Sequence, residues 1–293
     1  MRISVVMAVY NGASELRATL DSILAQTCRD FEVIVVDDGS TDDTPSILAA
    51  YQGLRVITQQ NSGLTRALVR GCMEARGDVI ARHDNGDRSH PGRFAKQLAK
   101  IDEGHVLVAC ATRFVEPQGD TMYISTADGE DVRRSLTRDD ATRIHALPAH
   151  GSAMFRRDAY LAAGGYRPPF RFAQDLDLWI RLAQRGSIAI LDDVLYEATF
   201  APSSISASNR AAQVRLTEIA VALRDGGDEA ALLDEASRVA PARGGKQNEA
   251  AALYFIGKCL LRQRNPRGRD YLRQAVTRDP LHWRAWASIL IGR

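Results

Sequence analysis

Asp37-Asp38-Gly39-Ser40 places two acids immediately before a tight turn. A carboxylate there can accept hydrogen bonds from a nucleobase imide or a ribose hydroxyl. The plainer use is an Asx turn that caps the next helix. Asp84-Asn85-Gly86-Asp87 sets two more acids on one short loop. Hard oxygen donors this close suit a divalent cation, which can bridge a pyrophosphate and stabilise charge on a departing diphosphate. A solvated polar turn would have the same composition.

Gln174-Asp175-Leu176-Asp177-Leu178-Trp179 opens a segment whose following turns are apolar. An acid at a helix N-terminus ordinarily complements the helix dipole. The chemical alternative for Asp175 is a general base, which must reach the proton of an attacking hydroxyl. Asp177 is two positions on, roughly opposite around the helix, and should point elsewhere. His150-Gly151-Ser152 precedes an extended apolar stretch. A lone histidine is most often a structural hydrogen-bonder, and His150 gains interest only because Asp175 follows it.

These groups need elements to carry them. Ile3 to Val9 reads as a strand stopped by Asn11-Gly12, and Leu16, Leu20, Ile23 and Leu24 then recur at helical spacing. Phe31 to Val36, Leu54 to Thr58, Val79 to Arg82 and Val106 to Val115 read as further strands. Helices are expected from an N-cap at Thr44 with Pro45 to Tyr51, from Leu64 to Ala75, and from Pro91 to Ile101. Beyond these, Gly129 to Leu147 reads as helix, Ala149 to Arg156 as extended and Gly164 to Pro169 as loop. Asp175 to Gln184 reads as an amphipathic helix, and Ile188 to Leu191 and Val194 to Thr199 as two short extended pieces. Apolar strands alternating with helices predict an α/β fold with a mostly parallel central sheet. Ligands of such sheets lie at the carboxyl ends of the strands. Tyr10-Asn11-Gly12, the Asp37 turn and the Asp84 loop each follow a strand, so they should meet at one edge.

Met7 to Gly12 (M-A-V-Y-N-G), Val35 to Asp42 (V-V-D-D-G-S-T-D), Asn61 to Ala67 (N-S-G-L-T-R-A), the Asp84 loop and Gln174 to Trp179 (Q-D-L-D-L-W) occur in an order that resembles glycosyltransferase family 2. The resemblance runs from about Ile3 to about Ile205 and implies the GT-A fold. It implies an inverting transfer of a sugar from a nucleoside diphosphate to an acceptor hydroxyl, in surface or extracellular polysaccharide or glycoconjugate assembly. On matching positions, Ala8, Tyr10, Asp38 and Asp84 would hold the donor nucleotide. Asp84 and Asp87 would hold a divalent metal, magnesium or manganese. Asp175 would be the catalytic base, and His150 would contact the diphosphate or the acceptor. Trp179 is expected to pack beneath that base. The loop departs from the usual D-A-D-D pattern, because Gly86 stands where an acid is common. Asp87 and Asp84 must then carry the metal, or His150 must assist. The same departure supports an alternative: a catalytically silent nucleotide-sugar-binding or scaffold protein whose helical tail binds a partner. The donor sugar and base are not readable from the sequence: uridine is the commonest in the family, and guanosine and thymidine diphosphates stay open. The acceptor would be a glycan, free or lipid-linked.

Other enzyme classes fit poorly. No G-x-G-x-x-G follows the first strand, which argues against a Rossmann dehydrogenase. Residues 3 to 15 contain only Gly12, too little for the glycine-rich phosphate loop of a nucleotidyltransferase. The Q-x-x-R-W motif of processive polysaccharide synthases is absent. A net charge of +2 argues against a nucleic-acid binder. The four cysteines form no C-x-x-C pair and read as reduced buried thiols. The N-terminus does not read as a signal peptide, and no stretch approaches the roughly 18 apolar residues of a membrane span. The expected location is the cytoplasm, with any membrane contact peripheral to its inner face.

The first domain is expected over 1–205, with a Ser/Ala-rich boundary at Ala201 to Asn209. A small all-α region should fill 206–293. Within it Leu253 to Pro280 is similar to a single degenerate tetratricopeptide repeat, with Gly257, Ala275 and Pro280 near their places. One repeat cannot bury its own apolar face, so these helices should pack together or against the first domain.

Overall fold

The computed structural model describes residues 1–137, 147–202, 209–240 and 245–291. Its centre is a nine-stranded sheet in the order β3-β2-β1-β4-β8-β6-β9-β5, with β7 paired to β6 outside that path. The strands are β1 (Ile3–Val9), β2 (Phe31–Asp37), β3 (Leu54–Thr58), β4 (Val79–Arg82), β5 (Arg88–Ser89), β6 (Leu107–Val115), β7 (Thr121–Ser125), β8 (Met154–Arg156) and β9 (Ile188–Thr199). β3, β2, β1 and β4 are parallel. β8 then runs antiparallel to both β4 and β6, and β6 is parallel to β9.

The period-two alternation of the strands divides the core between two faces. Val5, Met7, Val33, Val35, Val79 and Ala81 point to one face and pack with Leu16, Leu20 and Ile23 of α1 (Ala13–Leu24), Ile47 and Leu48 of α2 (Thr44–Ala49), and Phe94 and Ile101 of α4 (Arg93–Asp102). Val6, Ile34 and Ile80 point the other way. They pack with Leu68 and Cys72 of α3 (Leu64–Met73), Val132 and Leu136 of α5 (Gly129–Thr137), Tyr160 of α6 (Arg157–Ala162), and Leu178, Trp179 and Leu182 of α7 (Gln174–Ala183). Strands buried on both sides explain why they read as continuous apolar runs.

Several boundaries differ from the sequence reading. The N-cap of α2 is Asp43, and Thr44 is already helical; its Oγ1 accepts the Gly12 amide at 3.0 Å. The two expected pieces at Ile188 to Leu191 and Val194 to Thr199 are one strand, β9. Its pairing with β6 shifts where Leu191 faces Cys110 and Val194 faces Ala111, so Asp192 and Asp193 bulge out of the ladder. Ala149 to Arg156 is not extended throughout: His150–Ser152 forms a 3-10 turn before β8. Helix α5 covers the first part of the Gly129 to Leu147 expectation, and 138–146 lie outside the described residues. Most of the expected Ala201 to Asn209 boundary, 203–208, lies outside them too. The four cysteines are free.

All described elements after residue 209 are helices: α8 (Arg210–Arg224), α9 (Glu229–Arg238), α10 (Lys246–Arg262), α11 (Gly268–Arg278) and α12 (Trp283–Ile291). They meet the α/β part at two places. Leu216, Ile219 and Ala220 of α8 and Ala236 of α9 join the core beside α5 and α7. Leu253, Ile256, Leu260, Tyr271 and Ala275 instead pack on Met122 of β7, with Phe114, Tyr123 and Phe200 alongside. Helices α10 and α11 approach closely at two glycines: a Cβ on Gly257 would lie 2.8 Å from the Gly268 carbonyl oxygen. Below this contact the buried Glu116 accepts the amides of Gln118 and Asp120, each at 3.0 Å, and the Tyr271 hydroxyl.

Candidate functional site

The turns after β1, β2 and β4 meet at the carboxyl edge of the parallel strands. Asn11 sits in the left-handed region at φ 48°, where asparagine is tolerated. Its Oδ1 accepts the Thr41 amide at 2.8 Å, and its own amide donates to Ser40 Oγ at 2.9 Å. Asn85 Nδ2 donates to the Gly12 carbonyl at 3.2 Å, which ties the third turn to the first. Tyr10 stands half exposed on this edge, while Ala8 is half buried within β1. Asp38 is buried, and its carboxylate accepts Gln59 Nε2 at 2.7 Å and the amides of Ser62 and Gly63 at 3.0 and 2.8 Å. That carboxylate anchors the loop that opens α3. Asp37 accepts the Ser40 amide at 3.0 Å, an Asx turn.

Arg82, the last residue of β4, organises the next layer. Its side chain is fully buried. Nη2 donates to Asp84 Oδ1 at 2.6 Å, Nε to His150 Nε2 at 3.3 Å, and Nη1 to the carbonyls of His83, at 3.1 Å, and Val6. One guanidinium therefore holds the Asp84 loop, the His150 turn and strand β1 in register. His150 also meets the Tyr166 hydroxyl, at 2.7 Å from Nε2. Burial, together with the Arg82 charge, pushes the His150 imidazole down to about 4, so it is neutral near pH 7. Because Arg82 Nε can only donate, His150 Nε2 accepts and the neutral ring carries its proton on Nδ1.

Asp84 and Asp87 face each other's field. Burial would raise the Asp84 carboxyl, but Arg82, with His150 and His83 behind it, holds it below its ordinary value. Burial and the neighbouring Asp84 charge push Asp87 up to about 8. Asp87 Oδ1 accepts the Thr199 amide at 3.0 Å, and the Asp84 amide donates to the Tyr196 hydroxyl at 3.2 Å. Gly86 lies at φ +96°, a conformation that L side chains rarely adopt. An acid at this position would be strained by the backbone alone. Gly151 packs against the same loop: a Cβ there would lie 2.9 Å from Asp84 Oδ2 and 2.0 Å from the Tyr196 hydroxyl.

A second guanidinium, Arg93, is buried beneath the pair and has no carboxylate partner in hydrogen-bond range among the described residues. It donates to Ser89 Oγ and the Arg82 carbonyl, both at 2.9 Å, and stacks 4.8 Å from the Tyr196 ring centroid. His83 is buried beside it, and burial with the Arg93 charge pushes its imidazole down to about 3.

Asp175 lies in the first turn of α7, and its Oδ1 accepts the Leu176 amide at 2.9 Å. It stands one helical turn before Trp179, whose ring packs against His150, and its charge is felt by His150 and Tyr166. The residue before the helix, Ala173 at φ 54°, takes a left-handed conformation that turns the chain into α7. Asp177 points away, as expected, to Arg181 and, at 3.5 Å, to Arg167. Trp179 is fully buried, its ring centroid 5.9 Å from that of His150 at an interplanar angle of 75°, so it packs under the site.

The structure thus brings Asp84, Asp87, His150 and Asp175 to one region, with the Asp38 turn on the same sheet edge. Sequence reasoning missed Arg82, Arg93, Tyr166 and Tyr196. A charged residue closing an apolar strand reads as an exit to solvent, and nothing in V-I-A-R marks its arginine as buried. Among the described residues, no three or more His, Cys, Asp or Glu are grouped to hold a metal ion. The Asp84–Asp87 pair supplies two hard oxygen donors whose mutual repulsion a cation would relieve, which fits a divalent ion completed by ligands from a bound diphosphate.

An α/β sheet with its polar turns gathered on one edge is the GT-A plan. Staphylococcus aureus TarS 1-349 in complex with UDP-GlcNAc superposes with a TM-score of 0.59 at 19 % identity, covering 100 % of this chain and 93 % of that one. The family model described as Glycosyl transferase family 2 matches residues 4–162. The chain belongs to glycosyltransferase family 2. The match ends short of Asp175. An uncharacterized glycosyltransferase of Rickettsia typhi is 26 % identical over 200 residues, covering 67 % of this chain and 63 % of its own length. Chondroitin synthase of Pasteurella multocida is 26 % identical over 213 residues, covering 71 % of this chain and 21 % of that protein. The chain therefore spans less than two thirds of these relatives. No helix among the described residues is long and apolar enough to cross a membrane.

Proposed function

We propose that this chain transfers a sugar from a nucleoside diphosphate to an acceptor hydroxyl with inversion at the anomeric carbon. The observation that carries the reading is the meeting of Asp84, His150 and Tyr166 around buried Arg82, with Asp175 on the helix whose Trp179 packs against His150. Tyr10 offers a ring face to the nucleobase, and Asp38 acts by holding the 59–63 loop that borders it. A uridine nucleotide is the donor this reading favours, because TarS was crystallised with UDP and with UDP-GlcNAc. Asp84 and Asp87 would hold a divalent cation, which when bound neutralises charge on the departing diphosphate. Arg82 keeps Asp84 ionised and aimed; neutral His150, fixed by Arg82 and Tyr166, can offer Nδ1–H to an anionic oxygen. Asp175 takes the acceptor proton as its oxygen attacks from the face opposite the nucleotide. Gly86 favoured a silent scaffold when read from sequence alone; its positive φ gives that glycine a conformational reason instead.

The test is Asp175→Asn. A general base contributes about 10²–10⁴-fold to rate, so turnover should fall by at least about 100-fold. The variant should still be stabilised by UDP with manganese in a thermal-shift measurement, since donor binding does not use the base. Unchanged turnover removes Asp175 from the reaction.

A further inference from the structure

Helix α12 turns an apolar face to solvent. Trp283, Trp286 and Leu290 are spaced on one side of it and are 70 %, 46 % and 81 % exposed; Leu281, just before the helix, is 87 % exposed. The opposite side, with Ala285 and Ser288, is buried. Apolar stripes of this kind on a soluble domain ordinarily face a core or mark a contact.

The surrounding charge is lopsided. Residues 246–293 hold ten basic and three acidic side chains, while the preceding residues hold 28 basic and 33 acidic. Arg262, Arg264, Arg269 and Arg284 are exposed and carry no ion pair among the described residues. The overall charge of +2 hides this segregation.

We propose that α10–α12 dock this chain on an anionic lipid surface, with Trp283, Trp286 and Leu290 entering the headgroup layer and the unpaired arginines meeting lipid phosphates. Each part suits that occupant. Tryptophan is at home at the boundary between apolar and wet layers. Trp286 Nε1 already donates to the Pro280 carbonyl at 2.9 Å, so its ring can leave water without orphaning a donor. Arg284 lies 5.4 Å from the Trp283 ring centroid and can keep its charge at the headgroups while its stem follows the ring inward. A nucleic acid would use the arginines and the indole faces but gains nothing from Leu281 and Leu290. The inference stands independently of the transfer reading, because it uses none of that site's residues.

Fluorescence tests it directly. The chain has three tryptophans, and Trp179 is fully buried, so changes in emission report on Trp283 and Trp286. Vesicles of phosphatidylglycerol mixed with phosphatidylcholine should shift emission to the blue, shield it from aqueous iodide and carry the full-length chain into the pellet. Vesicles of phosphatidylcholine alone should do none of these, and added salt should weaken the effect. Trp283→Ser/Trp286→Ser should lower partitioning by at least about tenfold, with an unchanged melting curve as evidence of folding. Arg262→Glu/Arg269→Glu, which leaves the indoles in place, should weaken binding to the anionic vesicles alone. No pelleting and no shift with anionic vesicles overturns the proposal, as does equal binding to both vesicle types. Iodide shielding without vesicles, together with a concentration-dependent mass, assigns the face to a second copy of the chain. An equal shift with single-stranded DNA assigns it to nucleic acid. Either result overturns the lipid assignment.

Discussion

Replacing Arg82 by methionine keeps a long apolar stem and removes the guanidinium donors from the centre of the site. The buried guanidinium makes one hydrogen bond to an oppositely charged partner, Asp84 at 2.6 Å, and also serves the His83 carbonyl at 3.1 Å and His150 at 3.3 Å. The Val6 carbonyl keeps a second partner, the His83 amide at 3.3 Å, so its loss is small. A charge-assisted bond contributes about 1.5–3 kcal/mol, and an orphaned buried carbonyl costs about 1–3 kcal/mol. Asp84 is 33 % exposed, so water recovers part of the first. The low ends of both ranges give a loss of about 2.5 kcal/mol for Arg82→Met. Urea denaturation measures it as a fall in midpoint at constant slope. A second change, Asp84→Asn, removes the stranded carboxylate and should return about 1 kcal/mol or more in the double variant. If Arg82→Met costs less than about 1 kcal/mol, or if Asp84→Asn adds its full cost on top, the guanidinium does not organise the site as described.

Gly151→Ala should cost about 1–3 kcal/mol, since its Cβ would lie 2.0 Å from the Tyr196 hydroxyl and 2.9 Å from Asp84 Oδ2. Transfer activity should fall with it, and a variant of wild-type stability and activity would contradict the packing. Stability should also fall with acid. Between about pH 6.5 and 4 the unfolded chain protonates His83 and His150, whereas the folded chain, with these imidazoles held down to about 3 and about 4, does not. Asp87, pushed up to about 8, keeps in the folded state a proton that the unfolded chain has released above its ordinary value of 3.8, and so opposes one histidine. The net is one extra proton on the unfolded state, or about 1.4 kcal/mol lost per pH unit as pH falls through this window. Denaturation curves at several pH values check it, and a flat or opposite trend would contradict the balance of these three groups.

The parallel half of the sheet was open to reading because its signal is local. β3 and β4 have the bounds expected from their apolar runs, Leu54–Thr58 and Val79–Arg82. Features set by the partner strand were not. Asp192-Asp193 breaks the apolar pattern and looks like a strand end, yet β6 carries the pairing across the bulge. β5 is two residues long and β7 exists through its pairing with β6, so neither offers a periodic run. The same contrast holds at the site. Its acids stand in turns, where Asp and Gly are conspicuous; the cations beneath them end a strand or open a helix and are identified only by what surrounds them. Asp38 carries the converse lesson. Its type and place suit a ligand contact, while its oxygens are already committed to the loop at Ser62 and Gly63.

The reversal of β8 has a consequence for how this molecule could diversify. Because β8 runs against β4, its beginning lies at the edge where β4 finishes, and the chain delivers His150 before entering the strand. It then travels to the far edge and returns through α6 and residues 163–173 to present Tyr166 and α7. The Asp38 and Asp84 turns are woven into consecutive parallel strands, whereas the opposite wall hangs on one detachable excursion. Lengthening or exchanging that excursion would remodel the wall that carries Tyr166 and Asp175 while leaving the foundations of the parallel turns in place.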